Sequence, residues 1–301
     1  MRVFMTGATG VLGRRAVPAL VRAGHSVTAV VRSEDKAAAV RTAGATPVFV
    51  DLLDAAAVRS AINAHGAVAH LATNIPTGPQ AAERSAWRTN DSLRRDVAAL
   101  IAAAVAEAGI ARFIQESITF PYVDCGDQWI DEQCERTYFW GNESTTSAEA
   151  AAAGVTAAGG AGIVLRFAMF MAPDSAHCQN FVRAARRGSF GMVGAPAGFI
   201  SFIHVDDAAR AVVAALEAPA GIYNVAEPQP RPRSDHCEAL ASVAGKPELQ
   251  LIPELVDPVA NEALQSLARS HRISSQHLRD ATGWQPAMHA LEHWKDLTDH
   301  S

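Results

Sequence analysis

Short apolar runs alternate with amphipathic stretches through the first half of the chain. Arg2–Met5, Val27–Val31, Thr46–Val50, Val68–Ala72 and Arg112–Gln115 are rich in β-branched or other apolar residues and read as strands. Helical spacing predicts helices over Val11–Arg22, 35–43, 54–64, 87–108 and 143–157. Gly162–Phe167 reads as a sixth strand after the Gly159-Gly160 break. Strands separated by helices of this length require right-handed crossovers, so the pattern predicts a parallel sheet covered on both faces. Pro18 inside the first helix costs about 3 kcal/mol in an ideal helix, which predicts a kink or a short helix there.

Past residue 168 the pattern loosens. Residues 168–200 are rich in Met, Phe and Gly; Phe199–Val205 reads as extended, Asp206–Glu217 as helix and Gly221–Val225 as strand. Pro228, Pro230 and Pro232 punctuate a loop, and the remainder reads as helical. The expected fold is α/β: a Rossmann-like doubly wound parallel sheet with a smaller C-terminal substrate-binding lobe. Residues 1–167 would form the dinucleotide-binding core. Residues 168–301 would form mostly the substrate lobe, with 199–226 returning to the core.

Composition narrows the class of protein. The chain has 301 residues, 49% hydrophobic and 19% charged, as expected of an ordinary globular protein. A net charge of −5 argues against a nucleic-acid footprint. No apolar run reaches the roughly 18 residues of a membrane span. The first strand begins at residue 2, which leaves no room for a signal peptide. Cys125, Cys134, Cys178 and Cys237 have no C-x-x-C spacing, which speaks against zinc and for reduced thiols. The expectation is a cytoplasmic protein with a small-molecule partner, no metal, and an oligomeric state the sequence leaves open. Lys36, Lys246 and Lys295 are the only lysines among 26 basic residues.

Candidate chemistry begins at Thr6-Gly7-Ala8-Thr9-Gly10-Val11-Leu12-Gly13, placed between the first strand and first helix. Gly7 permits the tight turn, Gly10 lets backbone approach a pyrophosphate, and Gly13 lets helix and strand pack closely. Thr9, Val11 and Leu12 would present N–H groups to the phosphates at the helix N-terminus. Arg32 stands at the end of the second strand, where an acidic residue would read the ribose hydroxyls of NAD(H). A guanidinium there favours the 2′-phosphate of NADP(H), with NAD(H) as the lesser alternative. Asp51 and Leu52 would meet the adenine, although Asp51 could equally cap the next helix, as could Asp54. Leu71, Ala72 and Thr73 would let the cofactor pass. His70 reads more readily as a satisfied core histidine than as a catalyst.

Together these residues resemble the extended and atypical short-chain dehydrogenase/reductases. Thr6–Gly13 matches the TGxxGxxG turn, Asp51-Leu52 the adenine motif, and His70-Leu71-Ala72 the fourth-strand motif. Leu165-Arg166, His204-Val205-Asp206-Asp207 and Gly283-Trp284-Gln285-Pro286 match the later motifs in order. The resemblance implies a Ser-Tyr-Lys triad, with tyrosine and lysine in Y-x-x-x-K, yet Gly126, Asn142 and Glu227 stand four residues after the three tyrosines. Aligning Ala148-Glu149 with the family's alanine–glutamate pair places Gly141 in the tyrosine slot and Thr145 in the lysine slot. Tyr122 places Ile118 in the serine slot, and a one-residue slip would bring in Ser117 or Thr119. No slip creates a lysine.

The resemblance implies an intact cofactor half, with Ser117 and Phe167 also lining it, and no proton donor of the usual kind. The remaining hydroxyl candidates are Ser117, Thr119 and Tyr138. Asn74, Ile118, Phe120, Gly141, Thr145, Met169 and Phe170 would line a wide apolar slot, left open by Gly141, with Met192 nearby. The pattern is similar to angucyclinone ketoreductases that depart from the triad. It implies NAD(P)H-dependent reduction of an aromatic polyketide ketone in antibiotic biosynthesis, with a substrate hydroxyl or water assisting. A non-catalytic NADP(H)-binding redox sensor is the alternative. Epimerase or dehydratase chemistry, which begins by oxidising an alcohol, would want a base that this chain lacks.

Overall fold

The computed structural model describes residues 1–252 and 262–297. The first half alternates as expected: β1 (Arg2–Thr6), α1 (Gly13–Arg22), β2 (Ser26–Val31), α2 (Glu34–Thr42), β3 (Thr46–Phe49), α3 (Ala55–Ile62) and β4 (Ala67–His70). Next come α4 (Arg88–Ser92), α5 (Ala98–Glu107), β5 (Arg112–Ile118), β6 (Trp129–Ile130), α6 (Ser144–Ala157) and β7 (Ala161–Phe167). The second half holds β8 (Met169–Met171), α7 (Ala176–Arg186), β9 (Ser189–Val193), β10 (Phe199–Ile200), β11 (Phe202–His204), α8 (Val205–Ala215) and β12 (Gly221–Val225). It closes with β13 (Arg231–Pro232), α9 (Arg233–Ala244), β14 (Gln250–Ile252), α10 (Glu262–Ala268), β15 (Arg272–Ile273), α11 (Gln276–Thr282) and α12 (Ala290–His293).

One seven-stranded parallel sheet, in the order β12-β7-β5-β4-β1-β2-β3, organises the chain. β12 pairs with β7 from Gly221 opposite Ile163 to Val225 opposite Phe167, so the chain returns to this sheet after residue 200. Alternate residues of each strand feed two cores. Val3 and Met5 join Ala29, Ala69, Ile114 and Leu165 beneath α1 and α8. Phe4 joins Val30, Val68, Phe113 and Val164 beneath α3, α5 and α6. Burial on both faces explains why these strands read as continuous apolar runs. A third core of Met171, Phe181, Phe202, Leu240 and Trp294 knits the second half together.

Several expectations are corrected. The helix expected over 87–108 is interrupted by a π-helical turn at Leu93–Val97, which has no sequence motif of its own. Phe199–Val205 is not one extended run: Ser201 separates β10 from β11, and Val205 already begins α8. The C-terminal remainder includes short strands as well as helices. Pro18 lies inside α1, which is only ten residues long. The Met192 side chain lies outside the described residues. No helix among the described residues is long and apolar enough to cross a membrane.

Candidate active site

The turn between β1 and α1 is built as tightly as its glycines imply. Gly7 has φ +73°, and a Cβ there would stand 2.5 Å from the Leu71 carbonyl oxygen. A Cβ on Gly13 would stand 2.1 Å from the Gly7 carbonyl oxygen, so no side chain fits between helix and strand. The Gly10 N–H donates to Gly7 O at 3.0 Å. Among the described residues, the N–H groups of Val11 and Leu12 find no intramolecular acceptor. Two unmatched donors at a helix N-terminus, beside an exposed Gly10, fit a pyrophosphate. Arg32 and Lys36 are exposed just past β2, and among the described residues neither makes an ion pair.

Asp51 and Asp54 divide their work. Asp54 caps α3, accepting from the N–H groups of Ala56 and Ala57 at 2.9 and 3.1 Å. The exposed Asp51 accepts from Leu53 N–H at 3.0 Å, leaving its second oxygen toward solvent. His70 is fully buried, with Nδ1 2.7 Å from the Thr6 hydroxyl and Nε2 3.1 Å from the Leu93 carbonyl. The carbonyl fixes the proton on Nε2. His70 is a structural residue of the core.

Burial depresses three imidazoles strongly: His70 and His271 to about 4, His236 to about 3. Their folded values lie below the unfolded value of about 6.5, so the stability they contribute is complete above that pH and is lost toward pH 4. Each such proton steepens the loss by about 1.4 kcal/mol per pH unit. Thermal melts should therefore be level between pH 8 and 7 and fall steadily below 6.5; a level profile down to pH 5 would contradict this account.

Ile118, Gly141 and Thr145, the residues that the resemblance aligns with the triad, are all placed by the structure. Gly141 is buried in the turn before α6, and a Cβ on it would stand 2.5 Å from Cε2 of Phe139. The resemblance implies open space here. Instead Phe139 fills it, held by Trp140 at 5.6 Å, which packs on Trp87 at 6.1 Å. Thr145 is fully buried and its hydroxyl donates to Asn142 O at 2.7 Å. Ile118 is apolar.

Of the three hydroxyl candidates, Ser117 is fully buried and donates to Glu149 Oε1 at 2.8 Å. Tyr138 lies outside α6, under the Arg136 guanidinium at 5.6 Å, and burial raises its pKa despite that cation. Thr119 borders the cavity described below.

Ser117 belongs to a buried polar network that the sequence motifs foreshadow without revealing. Arg166 donates to both oxygens of Glu149, at 2.8 and 2.7 Å, and to the Tyr122 hydroxyl at 2.7 Å. Arg136 adds a contact to Glu149 at 2.6 Å, and Tyr122 donates to Asn224 Oδ1 at 2.9 Å. Burial pushes the Glu149 carboxyl up, but Arg166 and Arg136 outweigh it and hold the group below its ordinary value. Tyr122, raised by burial to about 12, stays neutral. The later motif pair is equally structural. Asp207 Oδ2 accepts from the N–H groups of Ala287 and Met288 at 3.0 and 2.9 Å, and Trp284 donates to Asp207 O at 3.2 Å.

A narrow cavity of about 20 Å³ opens beyond the carboxyl ends of β5 and β7, where ligands of parallel α/β sheets bind. Thr119, Phe120, Met169, Phe199, Ile200 and Ser201 supply one part of its wall. Arg233, Leu267, Arg269 and His271, none of them singled out in the sequence, supply the other. The only signal for them is the basic segment Arg269-Ser270-His271-Arg272, which carries no motif. Of the expected lining residues, Phe120 and Met169 reach this cavity. Asn74, Ile118, Gly141, Thr145 and Phe170 do not border it. Asn74 instead donates its N–H to Asn90 Oδ1 at 3.0 Å, and Phe170 packs on Phe167 at 5.4 Å.

Residues 3–226 match the NAD dependent epimerase/dehydratase family, and the chain belongs to it. A Streptomyces protein, 3-diazoavenalumate denitrifying reductase, is 30% identical over 312 residues, covering 98% of each chain. A Stigmatella aurantiaca ketoreductase of a farnesylated dihydroquinoline oxide is 51% identical over 49 residues, only 16% of this chain and 15% of that one. A human epimerase family protein solved with NADPH superposes with a TM-score of 0.76 at 18% identity, covering 100% of both chains. The protein is accordingly a nicotinamide-dependent oxidoreductase of this family with a Rossmann-like fold.

Proposed function

We propose that this chain is an NADPH-dependent reductase that delivers hydride to an electron-poor aromatic acceptor without drawing a proton from the protein. The observation that carries the proposal is that Phe139 occupies the space beside Gly141, the residue we align with the family tyrosine, while no lysine stands between Lys36 and Lys246. A reduced nicotinamide, when bound, supplies two electrons as hydride. Gly7, Thr9, Gly10, Val11 and Leu12 would hold the pyrophosphate, Arg32 the 2′-phosphate, and Asp51 with Leu52 the adenine. Leu71, Ala72, Thr73, Ser117 and Phe167 would flank the nicotinamide half. Thr119, Phe120 and Met169 would face the acceptor.

An arenediazonium ion meets these conditions. It gains the hydride, its carbon–nitrogen bond breaks, and dinitrogen leaves; ArN₂⁺ plus H⁻ gives ArH plus N₂, so no proton is consumed. Similarity to the Streptomyces denitrifying reductase along the whole chain supports this acceptor. A ketone of a bulky aromatic polyketide is the second acceptor class, favoured by the short match to a ketoreductase. Its own adjacent hydroxyl would then deliver the proton, since well-oriented intramolecular groups reach effective molarities of about 10⁵–10⁸ M.

The test is NADPH oxidation above the enzyme-free rate, offered a stabilised arenediazonium salt or a peri-hydroxy aromatic ketone. One N₂ released per NADPH consumed is the expected result. Turnover of the ketone alone selects the second class. NADPH binding with no oxidation of either acceptor, the behaviour of a redox sensor, would overturn the proposal.

A further inference from the structure

We infer that a second cavity, walled by Trp129, Phe199 and Arg272, binds a flat aromatic ring that carries an anionic group. The reductase reading makes no use of it, and of its residues only Phe199 also lines the narrow cavity beyond β5 and β7. Its volume is about 570 Å³, within the roughly 300–1,000 Å³ of small-molecule sites.

Four short strands build this cavity. Trp129 of β6 stands opposite Arg272 of β15, and Phe199 of β10 stands opposite Pro232 of β13. The two pairs are tied together where His271 N–H donates to Phe199 O at 2.9 Å and Phe199 N–H donates to Ser270 Oγ at 2.8 Å. The Arg272 guanidinium is stacked on both rings, 4.2 Å from the centroid of Trp129 and 4.8 Å from that of Phe199. Pro228, Pro230 and Pro232 line the rest, with Gln229 and Arg231. Three fixed φ angles leave this wall little freedom to lose when a ligand enters.

The chemistry of the wall sets the class of ligand. Trp129 is 49% exposed, a large apolar face left in water. Arg272 donates from Nη1 to Asp127 O at 3.0 Å; its Nη2 has no partner and it makes no ion pair among the described residues. The carboxylates nearby are engaged elsewhere: Asp127 accepts from Gln128 at 3.0 Å, and Asp235 pairs with Arg231 at 2.6 Å. Among the described residues none that lines the cavity is acidic, so an arriving anion meets a cation without a competitor. A guanidinium whose plane is already fixed by two rings and a carbonyl suits an oxyanion. A neutral sugar would use the indole and waste the charge. An aliphatic acid would use the charge and waste the indole.

Calorimetry on the intact chain, with NADP⁺ saturating so that the cofactor site is filled, tests the inference. Naphthoate should bind at least tenfold tighter than naphthamide or cyclohexanecarboxylate at low salt. Trp129→Ala, at an exposed position, should weaken naphthoate and naphthamide alike by about fivefold or more and leave the thermal melt in place. Arg272→Gln should erase the preference for acid over amide. Because Arg272 also packs on two rings, Gln229→Glu at the exposed rim supplies an independent arm, weakening naphthoate about fivefold and sparing the amide. Adenosine monophosphate binding more tightly than naphthoate, with the same dependence on Trp129 and Arg272, would support the inference and make the natural source a nucleoside phosphate. Equal affinity for acid and amide would overturn it. So would a preference that survives both charge substitutions, or naphthoate binding untouched by Trp129→Ala. No turnover is measured, so failure of the reductase reading would leave this inference standing.

Discussion

Gly13→Ala is expected to leave a protein that neither binds NADP(H) nor keeps its native stability. The new Cβ would lie 2.1 Å from Gly7 O and 2.5 Å from the Ala8 carbonyl carbon, both backbone atoms that cannot swing aside. Either α1 lifts off β1 or the phosphate turn opens. Overpacking against backbone of this kind costs about 3 kcal/mol or more, at the severe end of single substitutions. Gly10→Ala separates the two consequences. Gly10 is exposed and its Cβ would meet only Gly7 O, at 3.3 Å, so the fold should hold while the close approach of a pyrophosphate is lost. Calorimetric titration with NADPH and thermal melts of both variants check this. Wild-type binding by Gly13→Ala would mean the cofactor lies elsewhere.

Glu149→Ala is the second large expected effect. It would leave Arg166, 1% exposed, with its Nε and Nη2 lacking their carboxylate and would release Ser117 and Arg136 as well. Removing one partner of a buried ion pair costs about 3–5 kcal/mol because the other charge is stranded. That is a large share of the roughly 5–15 kcal/mol that keeps a domain folded. Glu143→Ala makes the contrast: its 3.5 Å pair with Arg95 is exposed and should contribute at most about 1 kcal/mol. Chemical denaturation of both variants measures the difference. Equal midpoints would show that the network is not what holds β5, β7 and α6 in register.

The doubly wound half of the fold was legible because its signals are local. A strand buried on both faces shows as an apolar run, and a glycine with no room for Cβ shows as itself. The late motifs were also visible, but as patterns without roles. Arg166 is the hub of a buried network, and Asp207 clamps the segment of Trp284 to the start of α8. Nothing in either motif distinguishes such a clamp from a site. Phe139 shows the limit most clearly. The small residue Gly141 could be read directly, but the ring that fills the space beside it comes from two residues earlier, through a turn in which Asn142 and Glu143 donate to Phe139 O at 3.0 and 2.9 Å. Arg269 and His271 carry no local signal for the same reason, since segments distant in the chain bring them to Thr119 and Phe120.

The claim on which the account stands is that the polypeptide contributes no proton to the reduced acceptor. Thr119 and Ser201 bring hydroxyls to the cavity wall, and the Ser201 hydroxyl is already donated to His271 O at 2.9 Å, so single-turnover hydride transfer in Thr119→Val, with NADPH prebound and acceptor in excess, probes it most directly. The account predicts a rate within about threefold of wild type, where loss of a positioned general acid costs roughly 10²–10⁴. A hundredfold drop restored by Thr119→Ser would show that the protein does donate, and would contradict it.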